Sequence, residues 1–179
     1  LNKNINTKYY ESHASVSANG NKLYFTSNRN GGQGGLDIYL SEKDASGDWG
    51  PAINLGSTVN TKYNEDTPFI TINDSLLYFS SEGHKGMGGY DIFRSSGTGS
   101  TWKSPENLGF PINSTDDDRF FQPFNNDENG FYSITTDYKK KEIFYITLTN
   151  PRLNRMYELS GKYSLKDTVV IFDEKNAIY

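Results

Sequence analysis

Apolar positions come in short bursts bounded by turn-forming residues, as in Leu23-Tyr24-Phe25 ahead of Thr26-Ser27 and Leu77-Tyr78-Phe79 ahead of Ser80-Ser81. Bursts this brief, aromatic and without helical spacing, predict strands. In the middle of the chain the pattern predicts strands at Thr67–Ile72, Leu76–Ser81 and Asp91–Ser95, and a last one entering Trp102–Leu108. Asn73-Asp74 reads as the hairpin between the first two, with Asn19-Gly20 as its earlier counterpart. The glycines within Gly31–Gly35 and Gly86–Gly89 are expected to supply positive φ in the next connection.

These elements repeat with a period of about 54 residues. Gly34-Gly35-Leu36-Asp37-Ile38-Tyr39 returns as Gly88-Gly89-Tyr90-Asp91-Ile92-Phe93, and Trp49 to Gly56 returns as Trp102 to Gly109. A third copy is worn: Phe131-Tyr132-Ser133 and Glu142-Ile143-Phe144 stand for the two strands, without the tryptophan or the Gly-Gly pair. Four short strands per copy, repeated head to tail, describe β-propeller blades. The fold class is therefore all-β, with three four-stranded blades at 11–64, 65–117 and 118–149. Residues 1–10 end a preceding blade, because Leu1 to Thr7 matches Leu55 to Thr61 and Leu108 to Ser114. Propellers close with four or more blades, so further blades are expected outside this sequence; two paired chains are the other solution. The pattern changes at Asn150-Pro151, and alternation at Glu158–Leu165 and Thr168–Asp173 suggests a linker and the start of a β-sandwich-like domain. An extra strand closing a blade is the alternative.

Composition narrows the chemistry. Of 179 residues 15% are aromatic, with 13 Tyr, 11 Phe and 17 Gly, which suits strands and turns rather than helix bundles. A net charge of -4, with no basic cluster, argues against nucleic acid. The absence of cysteine removes disulfides, thiol catalysis and Cys-based zinc sites. No stretch is apolar enough to insert as a membrane helix. The sequence opens with Leu1 and carries no signal peptide, as expected of a processed protein or an excerpt.

The signature LYFTSNRNGGQGGLDIY at Leu23 to Tyr39 resembles the WD40-like PD40 repeat of TolB-type propellers. With the closing NLGxxxN, the unit is similar to the PD40 propellers of Bacteroidota cell-envelope proteins of the OmpA family, which include the peptidoglycan-anchoring component of type IX secretion. The resemblance covers about Leu1 to Leu148. It implies a periplasmic location at the outer membrane, a protein partner in the envelope, and peptidoglycan contact through domains outside this chain.

Repetition separates structural from functional candidates. Asp37 and Asp91 recur once per blade and are expected to pin the glycine turns by accepting backbone N–H bonds. Trp49 and Trp102 recur likewise and are expected to pack between blades. The polar residues that open each innermost strand differ between copies: Glu11 with His13, Glu65 with Asp66, and Asp117, Asp118 and Arg119. They are read as a channel mouth that binds a polar ligand, with Ca²⁺ as a conceivable guest but no resident metal or cofactor assigned. Arg29, Asn30, His84 and Lys85 in the turns are read as exposed contacts for a partner. Ser95 to Trp102 resembles the Asp-box of sialidase propellers, with Gly97 in place of the Asp. The expectation is a non-enzymatic protein-binding scaffold; the alternatives are a periplasmic glycan-binding module, using Tyr and Trp to stack on sugars, and a sialidase-like glycosidase.

Overall fold

A computed structural model describes residues 1–124, 129–136 and 140–149, with the strand segments 156–160, 172–173 and 176–177. Every regular element among them is a β-strand. The chain divides into two units, Leu1–Phe121 and Gln122–Tyr179.

The first unit holds two antiparallel sheets. One runs β1 (Glu11–Val16), β2 (Lys22–Ser27), β3 (Asp37–Glu42), β4 (Ile53–Asn54) in that order. The other runs β5 (Glu65–Ile70), β6 (Leu76–Ser81) and β7 (Asp91–Thr98), with β8 (Thr101–Trp102) and β9 (Glu106–Asn107) both pairing β7. The strand expected to enter Trp102–Leu108 is thus two short pieces. β5 also begins earlier than expected, at Glu65, because the ladder tolerates Pro68 inside a register irregularity between Asp66 and Phe69.

The expectation for the glycine turns is corrected. Among Gly31–Gly35 and Gly86–Gly89 only Gly31 has positive φ, at 88°. The others are required for space. A Cβ on Gly32 would stand 2.0 Å from an Asp37 carboxylate oxygen, and one on Gly34 would stand 2.4 Å from the carbonyls of Thr61 and Tyr63. The glycine loop therefore lies against the segment that enters the next sheet.

Alternation sends Tyr24, Ile38 and Leu40 to one face of the first sheet. There they meet Leu55, Val59, Ile70, Leu77, Phe79, Phe93 and Trp102, forming one buried cluster. Trp102 stands edge-on to Tyr24, with ring centroids 6.0 Å apart. The opposite face carries Leu23, Phe25 and Tyr39, covered by Ile5, Trp49 and Ala52.

In the second unit β10 (Arg119–Phe124), which begins before the division, β11 (Asn129–Thr136), β12 (Lys140–Thr149) and β13 (Met156–Ser160) form one sheet. A cross-strand aromatic pair identifies it as the same unit: Tyr132–Phe144 at 5.6 Å repeats Phe25–Tyr39 at 6.0 Å and Phe79–Phe93 at 6.1 Å. Tyr132 thus holds the place of Phe25, and Phe144 that of Tyr39. β13 pairs with β12 from Tyr145↔Ser160 to Thr149↔Met156, so residues 156–160 act as a closing strand. β14 (Phe172–Asp173) and β15 (Asn176–Ala177) pair with each other. The linker at Asn150-Pro151 and the expected strand residues 161–165 and 168–171 lie outside the described residues.

Candidate functional site

The residues nominated at the starts of the first strands separate into two sets. Glu11, Glu65 and Asp118 face the chain that precedes them. Glu11 accepts from Thr7 N at 3.0 Å and Thr7 Oγ1 at 2.6 Å; Glu65 accepts from Thr61 N at 2.7 Å, Thr61 Oγ1 at 2.8 Å and Ser81 Oγ at 2.7 Å. Asp118 accepts the Ser114 amide and hydroxyl. Asp117 accepts from Tyr90 N at 3.1 Å, as Asn64 accepts from Leu36 N at 2.9 Å one copy earlier. These carboxylates hold linkers and do not converge on a shared point. Among the described residues no group of three or more His, Asp or Glu is arranged to hold a metal ion.

Their ionisation differs for a physical reason. Burial pushes Asp118 from its ordinary 3.8 up to about 6, against the Ser114 bonds, and burial likewise raises Glu65. Burial also acts to raise Glu11, but the Thr7 and Ser27 bonds and the Arg29 charge outweigh it, so Glu11 lies below its ordinary 4.5.

The second set is one connected cluster. His13 Nδ1 donates to Asp66 Oδ1 at 2.8 Å, across from β1 to β5, and Thr67 N donates to the same oxygen at 2.8 Å. Arg119 lies 3.6 Å from Asp66 Oδ2 and 3.7 Å from Asp117 Oδ2, with its guanidinium 3.6 Å from the Tyr90 ring centroid. Phe120 meets His13 edge-on at 5.1 Å.

The backbone beneath this cluster is unusual. His13, Thr67 and Phe120 occupy equivalent places in the three copies, and all have positive φ, at 24°, 50° and 63°. Two of them fall at register breaks, between Ser12 and Ala14 in β1 and between Asp66 and Phe69 in β5. A left-handed conformation in a residue with a Cβ costs roughly 1–2 kcal/mol, and such outliers concentrate where a side chain must be aimed.

The arrangement is not a hydrolytic relay. Ser12 Oγ lies 3.3 Å from His13 Nδ1, the nitrogen already bonded to Asp66. A serine–histidine–aspartate relay needs the hydroxyl and the carboxylate on opposite ring nitrogens. Burial raises Tyr24 and Tyr39 and pushes Tyr90 up to about 12, which disfavours their phenolate forms. Gly97 has no room for an Asp-box carboxylate, since a Cβ there would stand 2.2 Å from Thr101 O and 2.8 Å from the Trp102 ring.

The turn residues need correction too. Arg29 is not an exposed contact. Its side chain is 13% exposed, donating to Asn4 O at 3.0 Å, Ile5 O at 2.8 Å and Glu11 at 3.3 Å, and lying over Phe25 and Tyr39. His84 does the same work in the next copy: Nε2 donates to Val59 O at 2.8 Å, and the ring packs on Phe79 and Phe93. Asn30 and Lys85 are exposed.

Asp37 accepts from Gly34 N at 3.2 Å and Asn54 Nδ2 at 3.0 Å, and Asp91 accepts from Met87 N and Gly88 N at 3.0 Å each. Trp102 lies between the two sheets of the first unit, whereas Trp49 packs on Ile5 and the outer face of its own sheet. Sequence reasoning missed the role of Asn60 and Asn113, the last letter of NLGxxxN. Each is fully buried and imitates a strand: Asn60 bonds both the N and O of Ile38, at 2.8 and 3.0 Å, and Asn113 those of Ile92, at 2.7 and 2.9 Å.

No family model matches the chain, and no curated protein does. Solved structures do. A protein assigned as TolB from Agrobacterium tumefaciens is 17% identical, with a TM-score of 0.56 over 86% of this chain and 49% of its own. TolB from Acinetobacter baumannii is 13% identical, with a TM-score of 0.53 over 87% of this chain and 33% of its own. The chain therefore spans about half the length of one and a third of the other. The strand order, the repeated aromatic pairs and this likeness agree: the chain is all-β and built of β-propeller blades with the TolB-type fold.

Proposed function

We propose that this chain is a non-enzymatic β-propeller scaffold that binds a protein partner in the cell envelope, through the side chains at the starts of its first strands. The observation that carries this reading is the left-handed trio His13, Thr67 and Phe120: one strained backbone feature kept in every copy, with a different side chain on each. Thr67 is buried with its hydroxyl on Ser80, while His13 and Phe120 are exposed, and strain retained under two different exposed side chains fits a surface whose content is recognition. The cluster around it, His13, Asp66, Arg119 and Phe120, offers aromatic and charged groups on a rigid sheet end.

The finer reading follows the repeat signature Leu23–Tyr39 and its closing NLGxxxN. It places the chain in the periplasm beside the outer membrane, in an OmpA-like assembly anchored to peptidoglycan by domains outside this chain, with type IX secretion as the setting. A photo-reactive phenylalanine analogue at position 120, in the full-length protein within native envelopes, tests it. One discrete protein adduct that disappears with Arg119→Glu is expected. Equal adducts from a probe at position 120 and one at position 46, an exposed turn, would contradict it.

A further inference from the structure

The first two copies differ in how they close one gap. In the first copy Asn2 Nδ2 and Asn4 Nδ2 donate to Trp49 O at 2.7 and 2.6 Å, and Arg29 fills the space beside them. The repeat puts Gly56 and Thr58 where Asn2 and Asn4 stand, and Trp102 where Trp49 stands. His84, shorter than Arg29, takes over the aromatic pair and the carbonyl of Val59. What remains is an open cleft of about 500 Å³ lined by Ser57, Thr58, His84, Lys85, Phe93, Ser104, Pro105 and Asn107.

The lining has a definite chemistry. Three hydroxyls, an amide, an imidazole and an ammonium group meet there, and no carboxylate does, in a chain of net charge -4. The hydroxyls of Ser57, Thr58 and Ser104 and the Lys85 ammonium have no hydrogen-bond partner among the described residues. Neighbouring acids are tied elsewhere, Glu82 to Asn64 Nδ2 at 2.6 Å and Glu106 to Arg94 at 2.8 Å. Pro105 gives an apolar edge of the kind that faces the C–H side of a sugar ring, with the buried Phe93 behind the His84 ring.

We propose that this cleft binds an acidic sugar: its hydroxyls meet Ser57, Thr58, Ser104 and Asn107, and its carboxylate meets Lys85. The site is separate from the strand-end cluster and does not depend on the function proposed for that cluster. Binding of a singly charged sugar by one mobile lysine and several hydroxyls is expected to be weak and salt-sensitive.

The test is a titration of the full chain, followed by the ring resonances of His84, with glucuronate, glucose and acetate as probes. Glucuronate is expected to shift His84 saturably and to bind about tenfold more tightly than glucose or acetate, the worth of one charge-assisted contact. Lys85→Gln should remove that preference for glucuronate over glucose. The variant Thr58→Asn, which copies Asn4 of the first repeat, should weaken the shift while leaving the melting temperature in place. No saturable shift with glucuronate in the unmodified chain would overturn the proposal, whatever the variants do. Equal binding of acetate and glucuronate would also overturn it, by reducing the site to a general anion contact.

Discussion

The first and second copies share strand order, aromatic pair, buried asparagine and linker-holding carboxylate, yet they part at two adjacent positions, where Gly83-His84 of the second answers to Arg29-Asn30 of the first. Arg29 in one and His84 in the other bond the same carbonyl in the repeat and lie on the same pair of rings. Only Arg29 also reaches the carboxylate of its copy, Glu11, which the Thr7 and Ser27 bonds together with that charge hold below its ordinary value, where burial pushes Glu65 up. Arg29 thus adds to the electrostatics of a linker and, with Asn2 and Asn4, fills a gap that stays open in the second copy. A duplicated frame can keep its strand order and change its chemistry through a few residues.

The largest effect should come from breaking what both copies share. Trp102→Ala removes a ring buried between the two sheets of the first unit and should cost about 3–5 kcal/mol in chemical denaturation. Arg29→Ala should cost about 3 kcal/mol, since it strips the buried carbonyls of Asn4 and Ile5 and unpairs Glu11. His84→Ala, with one carbonyl to lose, should cost roughly 1 kcal/mol. Equal losses for the two would remove the asymmetry argued above.

Titration sharpens the same contrast. Asp118 keeps its proton when folded up to about pH 6 but loses it near 3.8 when unfolded. Its contribution therefore makes the fold most stable at the acid end and declines as pH rises from about 4 to 6. Glu11 has the opposite sign: its stabilisation is full above 4.5 and is lost as pH falls below that value. The carboxyl carbon of Glu11, followed by NMR in Arg29→Ala, should titrate higher than in the parent, since one of the groups that lower it is gone. The melting temperature of Asp118→Asn should lose its rise between pH 6 and 4. The smallest effect is Lys43→Ala, which removes a cation over the Trp49 ring at 5.1 Å and should cost about 0.5 kcal/mol.

Fold class and strand order were legible because the bursts of Leu-Tyr-Phe, the Asp-Ile motif and the tryptophan recur in register. Side-chain destinations were less so. Arg29 follows a strand in a polar turn, where an arginine ordinarily faces water, and only the carbonyls of Asn4 and Ile5 explain its burial. Glycine's need for space rather than positive φ depends on Thr61 and Tyr63, which approach from the next linker. Positive φ at Thr67, a β-branched residue ahead of a proline, runs against local preference and has no sequence signal. His13, Asp66 and Arg119 were nominated from the variable positions of a repeat, which also nominated Glu11, Glu65 and Asp118; chemistry alone does not separate a carboxylate that joins the His13 and Arg119 side chains from those that hold a linker.

The central claim is that the left-handed trio is kept for binding rather than for folding, and Phe120→Gly tests it most directly. Glycine accepts a φ of 63° without the steric cost but gives up the packing of a ring that is 37% exposed, so the two effects offset and stability should stay within about 1 kcal/mol of the parent. Partner capture, read from the same full-length protein in native envelopes, should fall at the same time. A variant of that stability that binds its partner equally well would contradict the account.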